Sequence, residues 1–427
     1  MPVPVTRRRS AAGRSRRTAQ LALLLALGIV GALLAGCSSG QSRAADERPG
    51  GSSKAPVPAS ITVNPGDRAV DVSPVAPVTV TVDKGKLDQV TMTNPEGVPV
   101  AGQLAPDGTG WNSAEPLGYG KAYTLTATAT GTGKNAKPVT KTSSFSTVAP
   151  SAVAYPSMNP LDGQTVGVGQ PLAVIFSEPI ANKQAAEDSI TVNANPPVEG
   201  AFYWFSDTEV HWRPQEYWAP GTTITMDIKV YGKDLGGGVY GEEDRHATFT
   251  IGDAFIARAD GASHQMTVEI NGQVVRTMPI SMGSPKFPSY NGTHVVTEQH
   301  ASYTMDSSTY GLAPDQGGYV TTVKFASRIS NGGQFVHAAP WSVGSQGSSN
   351  VSHGCVNLST ENAKWFFETA KKGDIVIQTN TGGPELEPWD GFGDWQIAWQ
   401  EWQTGGAKER SPRTGGVSDG IRTRDIL

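Results

Sequence analysis

The chain has 427 residues, 17% of them charged and 37% hydrophobic, with 50 glycines and 30 prolines. That length allows two to four domains, and the turn-rich composition excludes both a wholly disordered chain and a bundle of long helices. The 34 basic and 39 acidic residues give a net charge of −5, and loss of six arginines near the start takes it to −11. So acidic a chain is not built to grip nucleic acid or to hold anionic lipid through a polybasic patch.

Residues 1–37 read as a lipoprotein signal peptide. Arg7, Arg8, Arg9, Arg14, Arg16 and Arg17 precede an apolar run from Ala19 to Ala35, followed by Gly36 and Cys37. The run is slightly short for a bilayer-spanning anchor, which is the alternative. Leu34-Ala35-Gly36-Cys37 resembles the lipobox of bacterial lipoproteins. That resemblance implies an acylated Cys37 and attachment to the extracytoplasmic face of the cell membrane through acyl chains. Arg7-Arg8 leaves Sec and twin-arginine export both open. Residues 38–59, rich in Ser, Gly and Pro, read as a flexible tether.

Residues 60–149 show short alternating strands: Val78, Val80 and Val82, then Val90 and Met92, then Tyr123, Leu125 and Ala127. Asn94-Pro95 and Asp107-Gly108 supply turns between them, the pattern of an immunoglobulin-like β-sandwich. Residues 150–252 repeat the plan, with Leu172, Val174 and Phe176 before Ser177-Glu178-Pro179. The two sandwiches read as spacers, or alternatively as a wall-polymer-binding face. Trp204, Trp212, Tyr217 and Trp218 are candidates for such a face, although alternating aromatics also build cores.

A third domain spans residues 253–380. Met266, Val268 and Ile270 alternate up to Asn271-Gly272, a two-residue hairpin signal, and Val274 resumes the alternation. Further strands are expected around 292–297, 319–325, 334–337 and 375–379, with one main helix at about 360–372. Residues 381–404 carry Trp389, Trp395, Trp399 and Trp402, the last three at helical spacing, and are expected to pack back onto a neighbouring domain. From residue 405 the chain shows no periodicity and reads as a disordered tail.

The chemistry lies in the third domain. Gly332-Gly333-Gln334-Phe335-Val336-His337 is followed eighteen positions after its histidine by Cys355, in Ser352-His353-Gly354-Cys355-Val356-Asn357. If Cys37 is acylated, Cys355 is the lone remaining thiol of an exported chain, and so a candidate nucleophile. Such a cysteine acts as its thiolate and needs a base or an electropositive site. The intervening loop, rich in Ser and Gly with Pro340 and Asn350, has the length to bring imidazole and thiol together. Ser359 or Thr360 caps the expected helix, which places Cys355 just ahead of a helix N-terminus. His211, His246, His264, His294 and His300 share no spacing and read as surface or core residues. A zinc site built from Cys355, His337 and His353 is an alternative, but no Cys-x-x-Cys or His-Glu-x-x-His accompanies them, so neither metal nor cofactor is expected.

Ser352 to Asn357, with a histidine one loop upstream, closely resembles the active-site signature of the L,D-transpeptidases of bacterial cell walls. The likeness extends to Met305-Asp306-Ser307-Ser308-Thr309-Tyr310, Gly318-Tyr319, Ala339-Pro340-Trp341-Ser342-Val343-Gly344 and Gly393-Asp394-Trp395, over roughly residues 56–403. It implies a mostly β chain: two tandem immunoglobulin-like sandwiches, then a β-rich L,D-transpeptidase catalytic domain with one main helix. It implies further that Cys355 attacks a donor stem tetrapeptide at the L-centre of its diamino acid, releasing D-alanine. An amine of an acceptor stem then resolves the thioester as a 3-3 cross-link of peptidoglycan.

By the same resemblance His337 is the base, with His353 as scaffold or rival base. Gly354 and Cys355 N–H groups and the Tyr319 hydroxyl are the oxyanion donors. Ser352 and Asn357 read as binding substrate or bracing the loop, Gly332 and Gly333 as allowing a peptide backbone to approach, and Trp341 as a further substrate contact. Met305, Tyr310 and Tyr319 lie in a Ser-, Gly- and Pro-rich segment that reads as a lid over the substrate or, alternatively, as packing. The resemblance implies that carbapenem-type β-lactams acylate the same thiol. Ala338 stands where some family members carry serine, so orientation of His337 rests on the backbone carbonyl if the hydroxyl is dispensable. An L,D-carboxypeptidase-type hydrolase and a non-catalytic wall-binding lipoprotein are the competing readings.

Overall fold

A computed structural model describes residues 55–407. The signal with Cys37, residues 38–54 of the expected tether and residues 408–427 of the expected tail lie outside the described residues.

Period-two alternation builds the first sandwich. Along Ala122–Gly131, Tyr123, Leu125, Ala127 and Ala129 point into the core. Thr124, Thr126 and Thr128 face outward and pair their hydroxyls with those of Ser144, Thr142 and Thr140. That strand lies between Gly85–Thr93 and Pro138–Ser146. The facing sheet runs Ser60–Asn64, Thr79–Asp83, Gly110–Ser113, Gly102–Leu104, and contributes Val80, Val82 and Trp111 to the shared core.

The second sandwich packs Thr165–Val166, Arg245–Ile251, Thr223–Ile228 and Ile190–Asn195 against Gly200–Trp204, Glu209–Pro214, Leu172–Phe176 and Pro156–Asn159. Trp204, Trp212 and Trp218 are buried in its core, so these indoles form no exposed binding face.

The third unit has two sheets. One runs Gln273–Pro279, Gln265–Ile270, Phe255–Asp260, Ile375–Thr379, Gly292–Val295. The other runs Glu298–Asp306, Val320–Arg328, Phe335–Ala338, Val356–Leu358. Asn271 (φ 51°) and Gly272 (φ 77°) turn the first hairpin in the left-handed conformation that this dipeptide tolerates. The helix Thr360–Thr369 is capped by Ser359, whose Oγ accepts the Asn362 N–H, and it buries Ala363 and Phe366. It stops three residues earlier than its periodicity suggested. The Asp374 carboxylate takes the Lys371 N–H at 2.8 Å, and Gly373 (φ 86°) turns the chain toward the second sandwich.

Two seams join that sandwich to the third unit. In the first, Gly167 donates its N–H to the Lys372 carbonyl (2.7 Å) and Gly169 to Gly373 (2.8 Å). Neither glycine leaves room for a Cβ against Asp374 and Ile375. In the second seam, the Trp-rich segment returns to the sandwich. Arg213 is surrounded by the rings of Trp395, Trp399 and Trp402, at 4.6, 5.5 and 4.3 Å, and donates to the Ile397 carbonyl at 2.7 Å. Its neighbour His211 sets Nδ1 2.7 Å from Asp394 Oδ1 and Nε2 3.0 Å from Glu209 Oε1. Burial alone depresses this imidazole, but the two carboxylates outweigh it and push its pKa up to about 10.

Trp395, Trp399 and Trp402 do not share one helical face. Gly393–Gln396 is a 3-10 turn, Ile397 and Ala398 are extended, and Trp399–Trp402 is a separate short helix. The three indoles converge because Arg213 stands between the two pieces. Trp389 stays exposed.

Candidate active site

Strand pairing sets the geometry. Phe335–Ala338 and Val356–Leu358 run parallel, with His337 opposite Asn357. Side chains alternate along a strand, so Cys355, two positions before Asn357, falls on the same face as His337. Both open on one cleft of about 470 Å³, lined also by Met305, Tyr319, Thr321, Trp341, Ser342, Ser345, Val351, Ser352, His353 and Asn357. The cysteine forms part of its floor, 3% exposed, packed with Met305, Val323, Ala326 and Phe335.

The sulfur is held by main chain. Its S–H donates to the Gly333 carbonyl at 3.7 Å, and the Phe335 N–H is directed at the same atom. Arg328 lies with its guanidinium 4.4 Å from the Phe335 ring and its Nε 3.0 Å from Glu298 Oε2. Burial pushes the Cys355 thiol up to about 11, against the pull of that N–H and the arginine. Burial likewise takes His337 down to about 4. At neutral pH the pair therefore rests as thiol and neutral imidazole. The expected electropositive site at a helix N-terminus is absent, because Val356–Leu358 and the cap Ser359 separate Cys355 from the helix.

His337 donates from Nδ1 to the Ala338 carbonyl at 2.9 Å. A carbonyl only accepts, so the neutral ring carries its lone pair on Nε2. His353 does not share this arrangement. Its exposed ring stacks on Phe287 (4.7 Å) and meets Tyr319 at a tilt (4.9 Å), forming part of the cleft wall.

The loop before Cys355 is locked from within. Ser352 Oγ accepts the Gly354 N–H at 3.1 Å and donates to the Cys355 carbonyl at 2.6 Å. The Gly354 N–H is thus committed to Ser352, which corrects its expected place among the oxyanion donors. Gly354 has φ 115°, a conformation closed to side chains, and its carbonyl accepts from Ser289 Oγ at 2.7 Å. Asn357 exchanges backbone hydrogen bonds with Ser281, and its Nδ2 donates to Ser342 Oγ at 3.1 Å, bracing the loop that carries Trp341. Trp341 is 61% exposed on the rim, its ring 6.2 Å from His337.

Not every expected residue faces the cleft. Gly332 gives its N–H to Asp390 Oδ1 at 2.7 Å, so that donor is not offered to a substrate, and the residue is not part of the cleft lining. Gly333 serves through its carbonyl on the sulfur. The Tyr310 side chain and Cys37 lie outside the described residues. Ser289, Phe287 and Asp390 are not legible in the sequence, because nothing local to them marks contacts made across tens of residues. Among the described residues, no group of three or more His, Cys, Asp or Glu side chains is placed to hold a metal ion.

A bacterial Ig domain model matches residues 69–234, across both sandwiches, and an L,D-transpeptidase catalytic domain model matches residues 255–377. L,D-transpeptidase 2 of Mycobacterium tuberculosis is 48% identical over 349 residues, covering 82% of this chain and 85% of its own. L,D-transpeptidase 5 of the same species is 38% identical, covering 87% and 80%. A solved L,D-transpeptidase in complex with imipenem is 37% identical with a TM-score of 0.47, covering 52% of this chain and 97% of that one. With these two relatives 48% and 38% identical and matched over at least 80% of their own length, the chain belongs to the L,D-transpeptidase family.

Proposed function

We propose that the protein is a lipid-anchored L,D-transpeptidase of the cell-wall space, held to the membrane through Cys37, that joins two peptidoglycan stems by a 3-3 cross-link. One observation carries the mechanism: Cys355 and His337 share a sheet face and a cleft, and the ring's hydrogen bond to Ala338 leaves Nε2 as the proton acceptor. The Cys355 sulfur attacks the carbonyl at the L-centre of the donor's third residue as Nε2 takes the thiol proton. Because thiol and imidazole are both neutral at rest, proton transfer accompanies attack rather than preceding it.

The tetrahedral oxyanion is assigned to the Cys355 N–H and the Tyr319 hydroxyl, each such donor being worth about 2.7–4 kcal/mol. Collapse breaks the bond to D-alanine, whose amine takes the proton back from His337, and leaves a thioester. The acceptor's side-chain amine then attacks that thioester and the thiol is restored. Water and nucleotide take no part. Carbapenem-type β-lactams acylate the same sulfur, with ring opening in place of D-alanine release.

The test is incubation of the purified protein with a disaccharide tetrapeptide. A 3-3 dimer with one D-alanine per cross-link, lost in Cys355→Ala, is the expected result. Free tripeptide without dimer identifies an L,D-carboxypeptidase instead, and neither product on the native chain defeats the assignment.

A further inference from the structure

The turn Ser330–Gly333 joins Val320–Arg328 to Phe335–Ala338 and ends on the carbonyl that receives the Cys355 S–H. Inside the turn, Ile329 donates to the Gln334 carbonyl at 2.9 Å and Gln334 donates to Ser330 Oγ at 3.3 Å. Outside it stands Asp390, from the segment that follows the catalytic domain. Its Oδ1 accepts the Gly332 N–H at 2.7 Å, and the Asn331 N–H and Ser330 hydroxyl reach the same carboxylate. A Cβ on Gly332 would lie 2.8 Å from Asp390 Oδ2, so glycine is what lets the carboxylate approach. The neighbouring Gly391 (φ 71°) lies against Ser330. Four residues beyond Asp390, Asp394 is bound to His211 of the second sandwich.

We propose that Asp390 is a positioning residue for the transfer reaction: by gripping three donors of the Ser330–Gly333 turn, it fixes the Gly333 carbonyl and Phe335 N–H against the Cys355 sulfur. A carboxylate receiving several donors is a strong, directional clamp. Removing it returns those donors to water and frees the turn, which moves the two main-chain groups that aim the sulfur. It is not among the residues that line the cleft, so it acts on the rate of acylation and not on donor binding. The inference rests on Cys355 being the nucleophile of the proposed reaction.

The experiment uses the full chain in detergent, with single-turnover acylation by a disaccharide tetrapeptide, donor KM and thermal unfolding measured together. Asp390→Ala is expected to slow acylation about tenfold, the scale of a sub-ångström misplacement, with KM unchanged. Asp390→Asn keeps an acceptor for the Gly332 N–H and is expected to restore the rate to within about threefold. Gly332→Ala, which displaces the carboxylate, should repeat the loss. The inference is overturned if Asp390→Ala acylates at the native rate. It is equally overturned if its loss follows a fall in melting temperature that Asp390→Asn does not rescue. A native chain that forms no thioester removes the nucleophile and this inference together, a different result from either.

Discussion

The Nδ1 of His337 and the carbonyl oxygen of Ala338 stand 2.9 Å apart, so the base is oriented by main chain and needs no side-chain partner at position 338. The Ala338 side chain itself points the other way, into the apolar cluster with Val336, Val356 and Leu358. Ala338→Ser therefore buries a hydroxyl in the core without reaching the ring. It should cost about 1–3 kcal/mol of stability and leave the acylation rate within about twofold, since the orienting bond is unchanged. Denaturant unfolding beside single-turnover acylation checks both. A large gain in rate would mean that the hydroxyl orients the base after all.

The resting ionisation has its own signature. With the thiol pushed up to about 11 and His337 down to about 4 by burial, the neutral thiol and imidazole are favoured over a thiolate–imidazolium pair at neutral pH. Alkylation of Cys355 by iodoacetamide, which depends on the thiolate, should keep rising with pH through 9 and 10. A plateau already reached by pH 7 would show a preformed ion pair. Acylation by a tetrapeptide, which uses neutral His337, should instead lose rate only as pH falls toward 4.

The seam between the second sandwich and the C-terminal segment should depend on pH in the opposite sense. His211 is raised to about 10, by Asp394 and Glu209 against the effect of burial. A group held above its unfolded value, about 6.5 for histidine, stabilises the fold fully below that pH and progressively less as pH climbs toward 10. Chemical denaturation between pH 6 and 10 should show this decline, and His211→Gln should remove this component of it. A profile identical in the variant would contradict the assignment.

Trp402 is fully buried, donates to the Ala201 carbonyl at 2.8 Å and covers the Arg213 guanidinium. Trp402→Ala should cost about 3–5 kcal/mol by calorimetry, the range for removing a buried aromatic. A loss under about 1 kcal/mol, the scale of a surface change, would place the indole outside the load of the fold.

What could be read in advance divides by range. Tyr123, Leu125 and Ala127 announce their strand because burial alternates with the backbone, and Asn271-Gly272 announces its hairpin because few other dipeptides tolerate both left-handed positions. Val356–Leu358 is too short to show a period, so Cys355 reads as lying against the helix when a strand intervenes. Trp395, Trp399 and Trp402 mimic one helix because their spacing is helical, while their convergence comes from Arg213 on another domain. The site motif places Cys355 and His337, yet Gly333, Ser289 and Asp390 act through contacts between distant segments that no local pattern records.

The central claim concerns one sulfur atom acting with one ring. Intact-protein mass spectrometry during exposure to a disaccharide tetrapeptide reads it most directly. The account predicts a mass increase equal to the donor less D-alanine, mapped to Cys355, absent in Cys355→Ala and formed markedly more slowly in His337→Gln. An adduct that persists in Cys355→Ala, or a native chain that stays unmodified while its substrate is consumed, would contradict it.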